Sequence, residues 1–208
     1  MIRAVIFDVD GVLIDSFAAN LKFYQDLVRY AGYPPPTREE FGNFFHLTLR
    51  DAVRAMTGLT DEEEIQKVCM AGRKRVVPYP ISLLKYPDGM REVIQGLSRG
   101  YLLGIATSRG RVAVYEAPEL AKLAPYFRVV VAYEDTESHK PDPAPLLFAA
   151  EKLGVKPEEC VYVGDVKNDI LAARAAGMKV IVYSEKIVEG ADKATYRFTD
   201  LPALIKDL

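Results

Sequence analysis

Several features that would point to particular protein classes are scarce in this chain of 208 residues. Its two cysteines, Cys69 and Cys160, lie far apart and form no CxxC or zinc-binding pattern, so we expect two thiols that pack in the interior. No uninterrupted apolar stretch approaches about 20 residues, which argues against a membrane span. The short apolar run at the N-terminus lacks a signal-peptide cleavage site. These absences predict a cytoplasmic protein.

Charge of one sign is also lacking. The chain has 27 Lys and Arg against 29 Asp and Glu, so its net charge is −2, and no broad basic face for a nucleic-acid partner is expected. Half of the residues are hydrophobic, which is typical of a globular protein with a core. The length suits one large domain, or a domain with a small insert.

Short apolar runs alternate with helical patterns along most of the chain. Near-continuous apolar runs favour strands of a parallel sheet that is covered on both faces. The alternation predicts a doubly wound, Rossmann-like α/β fold. The predicted strands are Ile2–Phe7, Tyr101–Thr107, Arg128–Ala132, Cys160–Gly164 and Lys179–Val182. The predicted helices between them are Gly89–Arg99, Val112–Leu123, Pro143–Leu153 and Asn168–Ala176.

One region interrupts this alternation. Between residues 16 and 80 the patterns are helical throughout, with no strand signal. The simplest interpretation is a small helical cap domain, residues 16–80, inserted into an α/β core made of residues 1–15 and 81–208. The predicted cap helices are Ala18–Ala31, Arg38–Phe45, Leu49–Met56 and Asp61–Val76.

Acidic residues follow two of the predicted strands. Asp8 and Asp10 end the first, and Asp165 and Asp169 follow the fourth. Ligands of open α/β sheets bind at the carboxyl ends of strands, and neighbouring carboxylates repel one another unless a cation is near. The spacing after Asp165 does not fit a calcium-binding EF-hand. A divalent cation shared by the two groups is therefore favoured over a polar strand end without function.

Two further segments could bind an anion. The second strand ends at Thr107, whose hydroxyl, together with the backbone amide of Ser108, suits a phosphate oxygen. Lys140 stands just before a predicted helix, where an ammonium could neutralise an anionic substrate. Taken singly, Thr107 is as well explained as a turn residue and Lys140 as a surface lysine.

In this order, four segments resemble the motifs of the haloacid dehalogenase superfamily. They are Asp8-Val9-Asp10-Gly11-Val12-Leu13-Ile14-Asp15-Ser16, Thr107, Lys140-Pro141, and Gly164-Asp165 followed by Asp169. The resemblance covers almost the whole chain. The position of the predicted cap, directly after the first motif, is similar to that in the branch of phosphoglycolate phosphatase and β-phosphoglucomutase.

The resemblance implies a role for each matched residue. Asp8 would be the nucleophile, and Asp10 would protonate the leaving alcohol and then activate water. Thr107, Ser108 and Lys140 would hold the transferring phosphoryl group. The implied cofactor is Mg²⁺, and its ligands would be Asp8, the backbone carbonyl of Asp10, Asp165 and, directly or one step removed, Asp169. The presence of Asp10 favours phosphate esters over haloacids.

The cap would select the substrate. Its candidate contacts are His46, Arg50, Arg73, Lys74 and Arg75, of which we favour Arg50, although a cation on a helix face commonly serves solubility alone. The expected partner is a small phosphorylated metabolite, and the expected enzyme is a phosphoric monoester hydrolase. An inorganic pyrophosphatase, a phosphosugar mutase and a non-catalytic binding protein stay open as alternatives, as does the choice between monomer and homodimer.

Overall fold

The structure, a computed structural model, describes residues 1–45, 47–185 and 188–208. It divides into two compact units. The first combines Met1–Asp15 with Lys85–Leu208, and the second, the helical unit, runs from Ser16 to Leu84. The second junction thus lies after Leu84, where the sequence places it after residue 80. Within the described ranges, no helix combines the length and apolarity that crossing a membrane requires.

A parallel sheet of six strands forms the centre of the first unit, in the order β3-β2-β1-β4-β5-β6. This confirms the predicted α/β fold. A strand at Lys193–Thr195 is missing from the prediction, because three residues with little apolar character give no strand signal. The strands are β1 Ala4–Phe7, β2 Leu102–Ala106, β3 Phe127–Val131, β4 Cys160–Gly164, β5 Lys179–Tyr183 and β6 Lys193–Thr195.

Helices cover both faces of this sheet. Successive residues of β1 point to opposite faces: Ala4 and Ile6 join the apolar cluster beneath the later helices, while Phe7 stacks on Phe198 with ring centroids 6.2 Å apart. The single helix predicted over Val112–Leu123 is wrong. Two shorter helices occupy it, since Pro118 lacks the N–H needed to continue the first and begins the second. The helices of this unit are α5 Met90–Leu97, α6 Arg111–Tyr115, α7 Pro118–Leu123, α8 Ala144–Leu153, α9 Lys167–Ala175 and α10 Leu201–Lys206.

The described part of the helical unit contains four α-helices, and three of them begin with a side-chain cap. The Thr37 side chain and Glu40 form a capping box at the second helix, and Thr48 and Asp61 cap the third and fourth by accepting backbone N–H bonds. Its core includes Cys69, which is a buried free thiol, as is Cys160 in the first unit. The helices are α1 Phe17–Tyr30, α2 Arg38–Phe44, α3 Leu49–Thr57 and α4 Glu62–Arg73.

Strand register brings the motif residues to one edge of the sheet. Phe7 of β1 pairs with Ile105 of β2 on one side and with Val163 of β4 on the other. The residues just beyond these pairs, among them Asp8 and Thr107, therefore emerge together at the carboxyl ends of neighbouring central strands. This edge is where open α/β sheets bind their ligands.

Candidate active site

Asp8 lies at the centre of the site with one carboxylate oxygen on a backbone amide and the other on a lysine. Its side chain is 9% exposed. Oδ1 accepts a hydrogen bond from the Val9 amide at 2.7 Å, and Oδ2 lies 2.9 Å from the Lys140 Nζ. The Asp8 amide itself donates to the Val163 carbonyl, which continues the β1–β4 ladder. The carboxylate is thus held in place by its own strand and by the ammonium.

Lys140 is a buried ammonium with three partners. Its Nζ lies 2.9 Å from Asp8 Oδ2, 2.7 Å from Asp169 Oδ1 and 2.8 Å from the hydroxyl of Tyr162. An ammonium has three donors, so these contacts satisfy it completely. A side chain that could be a solvated surface lysine in the sequence is 6% exposed in the fold.

Asp169 is buried at the start of α9, and both of its oxygens accept hydrogen bonds. Oδ1 accepts from Lys140, and Oδ2 accepts from the amides of Asp165 and Val166 at 3.0 and 3.2 Å. The two amides belong to the loop that leads from β4 into the helix. Asp169 therefore joins this loop to the lysine.

The Asp10 carboxylate makes a bidentate ion pair with Arg109. Arg109 Nε lies 2.7 Å from one carboxylate oxygen of Asp10, and a terminal nitrogen lies 2.8 Å from the other. The remaining terminal nitrogen of Arg109 donates to the Ala113 carbonyl. The Arg109 side chain is 8% exposed and that of Asp10 is 27% exposed. This paired geometry fixes the plane of the Asp10 carboxylate while leaving part of its surface open.

The residues of the second motif follow β2. Thr107 is buried, its amide donates to the Val131 carbonyl, and its hydroxyl accepts a bond from the Arg109 amide at 3.2 Å. Ser108, the next residue, is exposed. The hydroxyl and the following amide therefore lie at the same sheet edge as Asp8.

Three carboxylates of the site are close enough to share a cation. Asp8, Asp165 and Asp169 can each offer an oxygen so that all three atoms lie within 4.8 Å of one another. Two glycines permit this approach: a Cβ on Gly11 would lie 1.9 Å from Asp165 Oδ2, and one on Gly164 would lie 2.4 Å from the Asp169 Cβ. Clustered carboxylate oxygens are the donors that a hard divalent cation such as Mg²⁺ prefers. The residues present fit that ion.

Burial and the neighbouring charges shift the pKa values of the site. Burial raises the pKa of Asp8 to about 6, although Lys140 opposes the rise. Burial, with the nearby Asp169 and Asp8, raises the pKa of Asp165 to about 9. Burial alone would lower the pKa of Lys140, but the carboxylates of Asp169 and Asp8 outweigh it and raise that pKa well above its usual range. A bound cation would relieve the repulsion among these carboxylates.

Residues predicted on the cap belong to the helical unit. Arg50, on α3, pairs with Glu62 at the start of α4, so it already has an acidic partner within that unit. Arg75 places its guanidinium over the rings of Phe23 and Tyr79. His46 lies outside the described residues. Substrate contact by Arg50 stays a prediction.

The sequence motifs do not predict two residues of the site. Arg109 stands two positions after Thr107, and its charge in a loop beyond a strand end was a visible signal, but its partner lies 99 residues away. Tyr162 sits within the apolar run of β4, where a polar atom in a fully buried strand is itself a signal, because buried hydroxyls need partners. Burial raises the pKa of its phenol well above the usual range, so the hydroxyl keeps its proton.

Comparisons with known proteins identify relatives of this chain. The sequence profile of haloacid dehalogenase-like hydrolases matches residues 5–183. A pyrophosphatase PpaX from Bacillus cereus is 34% identical over 186 residues, which cover 88% of this chain and 83% of that protein. Phosphoglycolate phosphatase 1 from Pseudomonas aeruginosa is 30% identical over 186 residues, covering 85% of this chain and 67% of that protein.

Solved structures give the same result. The crystal structure of a haloacid dehalogenase-superfamily hydrolase, subfamily IA, from Geobacter sulfurreducens superposes with a TM-score of 0.74 at 28% identity, covering 98% of this chain and 96% of the other. Sequence similarity over most of the chain, a shared fold and the acidic cluster at the sheet edge lead to one conclusion. The chain belongs to the haloacid dehalogenase-like hydrolase family.

Proposed function

We propose that this protein is a magnesium-dependent phosphatase that cleaves a small phosphorylated compound through an aspartyl phosphate on Asp8. The observation that carries the proposal is the contact between the buried carboxylate of Asp8 and the ammonium of Lys140, 2.9 Å apart beside two further carboxylates. Such a site has a nucleophile, a fixed positive charge and a set of metal ligands at one sheet edge. Phosphoryl transfer asks mainly for positioning and charge stabilisation.

The residues divide the chemistry into two steps. Asp8 attacks phosphorus, the bond to the leaving oxygen breaks, and Asp10 gives that oxygen a proton. Asp10 then takes a proton from water as the water attacks the aspartyl phosphate, which releases phosphate and restores Asp8. During both steps the Thr107 hydroxyl and the Ser108 amide hold the phosphoryl oxygens, and Lys140, whose three donors are already engaged, attracts them through its positive charge. A magnesium ion, when bound, supplies positive charge that offsets the repulsion between Asp8 and a phosphate dianion.

The hydrogen bonds of Asp169 support a position behind the metal ligands. Both of its oxygens already accept bonds, one from Lys140 and the other from two backbone amides. Direct coordination would compete with these bonds. We therefore assign Asp169 to orienting Lys140 and the loop that carries Asp165, and we assign the metal to Asp8, Asp165 and the Asp10 backbone carbonyl.

A phosphate monoester is the substrate class that we favour, since Asp10 provides a proton for an alkoxide leaving group. Pyrophosphate is the second candidate, and it is favoured by the relative that is named a pyrophosphatase and is 34% identical. The two candidates differ in the leaving group, which is an alcohol in one case and phosphate in the other. Both leave the role of Asp8 unchanged.

A panel of phosphorylated metabolites and pyrophosphate, incubated with Mg²⁺ and scored by released phosphate, tests the proposal. We expect at least one compound to be hydrolysed, with kcat/KM deciding between monoester and pyrophosphate. Conversion between phosphosugar isomers without release of phosphate would instead identify a mutase. No turnover of any compound, with Mg²⁺ present and the protein folded, would refute catalysis and leave a binding protein.

A further inference from the structure

Tyr162 places a polar atom in the middle of the core sheet. It lies on β4, it is 0% exposed, and its side chain is the largest among the fully buried ones in the described part of the chain. A phenol hydroxyl that is buried without a hydrogen bond destabilises the fold, and phenylalanine would fill the same space without that cost. The hydroxyl must therefore have partners that account for it.

Those partners lie on three different segments of the site. The hydroxyl is 2.8 Å from Lys140 Nζ and 3.0 Å from the carbonyl oxygen of Ala106, with a longer contact of 3.3 Å to Asp169 Oδ1. An ammonium can only donate, so the hydroxyl accepts from Lys140 and directs its own proton to the closer acceptor, the carbonyl.

The Ala106 carbonyl belongs to the same peptide group as the Thr107 amide. That peptide is held on both sides, because its N–H donates to the Val131 carbonyl and its C=O accepts from Tyr162. Tyr162 thus connects the peptide that leads into Thr107 with the amine of Lys140. These are the two segments to which the proposed function assigns the phosphoryl group.

The third bond of Lys140 fixes its position. Asp8 and Asp169 attract the ammonium by charge, and such attraction has little directional preference. A neutral acceptor in a third direction stops the amine from moving further toward the carboxylates. We propose that Tyr162 is a positioning residue, which sets the distance of the Lys140 amine from Asp8 and aligns it with the Thr107 peptide. This inference rests on the proposed function for the meaning of that alignment.

Replacing Tyr162 with phenylalanine tests this role, because Tyr162→Phe removes one oxygen and keeps the buried ring. Loss of a hydrogen bond to a charged group typically changes an equilibrium constant or a rate about tenfold or more. We expect kcat to fall about tenfold, with KM changing less than about threefold, since the substrate still meets the same charges. A kcat within about twofold of the wild type would overturn the inference.

A matched control is available at the opposite edge of the sheet. Tyr126 immediately precedes β3, and its hydroxyl accepts a hydrogen bond from the Gln95 side chain at 3.0 Å. Tyr126→Phe therefore also removes one tyrosine hydroxyl bond, but at the amino ends of the strands. We expect its kcat and KM to match those of the wild type. An equal loss in both variants would mean a general effect on the fold and would overturn the inference.

A double-mutant cycle with Lys140→Met separates positioning from general structure. If Tyr162 acts through the amine, Tyr162→Phe should change the unfolding equilibrium constant about tenfold more in the wild type than in the Lys140→Met background, where only the bond to the Ala106 carbonyl remains to be lost. Equal effects in both backgrounds would overturn the inference. This cycle needs no substrate. A wild type that hydrolyses nothing would therefore refute the proposed function while the cycle still decides whether the hydroxyl holds Lys140.

Discussion

Removal of the buried Lys140 ammonium should lower the stability of the whole protein as well as its activity. In Lys140→Met the side chain keeps a similar length, so the change is mainly one of charge. The lysine is 6% exposed, and its two acidic partners, Asp8 and Asp169, are 9% and 1% exposed. At separations of 2.9 and 2.7 Å, each attraction amounts to about 6 kcal/mol at an effective dielectric constant of about 20.

Much of that attraction only compensates for burying the charges. Measured losses from removing one partner of a buried pair are about 3–5 kcal/mol, and we expect a loss of this size in the free energy of unfolding. For a protein of this length the unfolding midpoint should then fall by about 6–20 °C. The loss should be smaller at pH 5 than at pH 8, because at lower pH the unpaired carboxyl groups can bind protons instead.

Urea denaturation in the presence of a chelator, at pH 8 and at pH 5, measures this effect. Lys122→Met is a matched control, since Lys122 is 60% exposed and pairs with Glu119 at the surface. We expect that variant to lie within about 0.5 kcal/mol of the wild type. A loss below about 1 kcal/mol for Lys140→Met at pH 8 would refute the argument that this ammonium compensates two buried carboxylates. Added Mg²⁺ should restore part of the loss.

Three further outcomes follow from the site. Asp8→Asn should lower kcat about a thousandfold or more in the phosphate-release assay, because the amide cannot attack phosphorus. The pKa values of about 6 for Asp8 and about 9 for Asp165 exceed that of aspartate in an unfolded chain. The metal-free protein should therefore lose thermal stability as the pH rises from about 4 to 9. Mg²⁺ should raise the unfolding midpoint more at pH 8 than at pH 5, because it binds the ionised carboxylates. Arg109→Gln should slow hydrolysis of an alkyl phosphate about tenfold or more, because Asp10 loses the two bonds that orient its carboxylate. Hydrolysis of p-nitrophenyl phosphate should slow less, because its phenolate leaving group needs little help from the Asp10 proton.

A specific result would contradict each of these three predictions. Undiminished turnover by Asp8→Asn would exclude the aspartyl phosphate. A thermal unfolding midpoint that rises with pH in the presence of chelator would show that ionisation of the buried carboxylates does not destabilise the fold. Equal slowing of both esters by Arg109→Gln would show that Arg109 does not act through protonation of the leaving group by Asp10. Arg91→Gln, which removes a surface arginine paired with Glu119, is the control for the last experiment.

Local sequence patterns determine much of this protein. Apolar runs bounded by helical patterns locate the five longer strands, because each run must be buried on both faces of a parallel sheet. The position of Asp8, Thr107 and Asp165 directly beyond three of those runs follows from the same patterns. Strand ends in a parallel sheet meet at one edge, so their clustering could be predicted before any coordinates. The short β6 and the helix break at Pro118 show where weak or local signals mislead.

Contacts between distant segments depend on tertiary structure. Lys140 looks like a surface lysine in sequence, and only the fold buries it among Asp8, Asp169 and Tyr162 in the candidate active site. The pairing of Arg109 with Asp10 spans 99 positions, and that of Tyr162 with Ala106 spans 56. Whether a hydrogen bond forms depends on differences of a few tenths of an ångström in the donor–acceptor distance, which the periodicity of a sequence does not encode. Sequence thus identifies which groups meet at the sheet edge, while packing decides which of them touch.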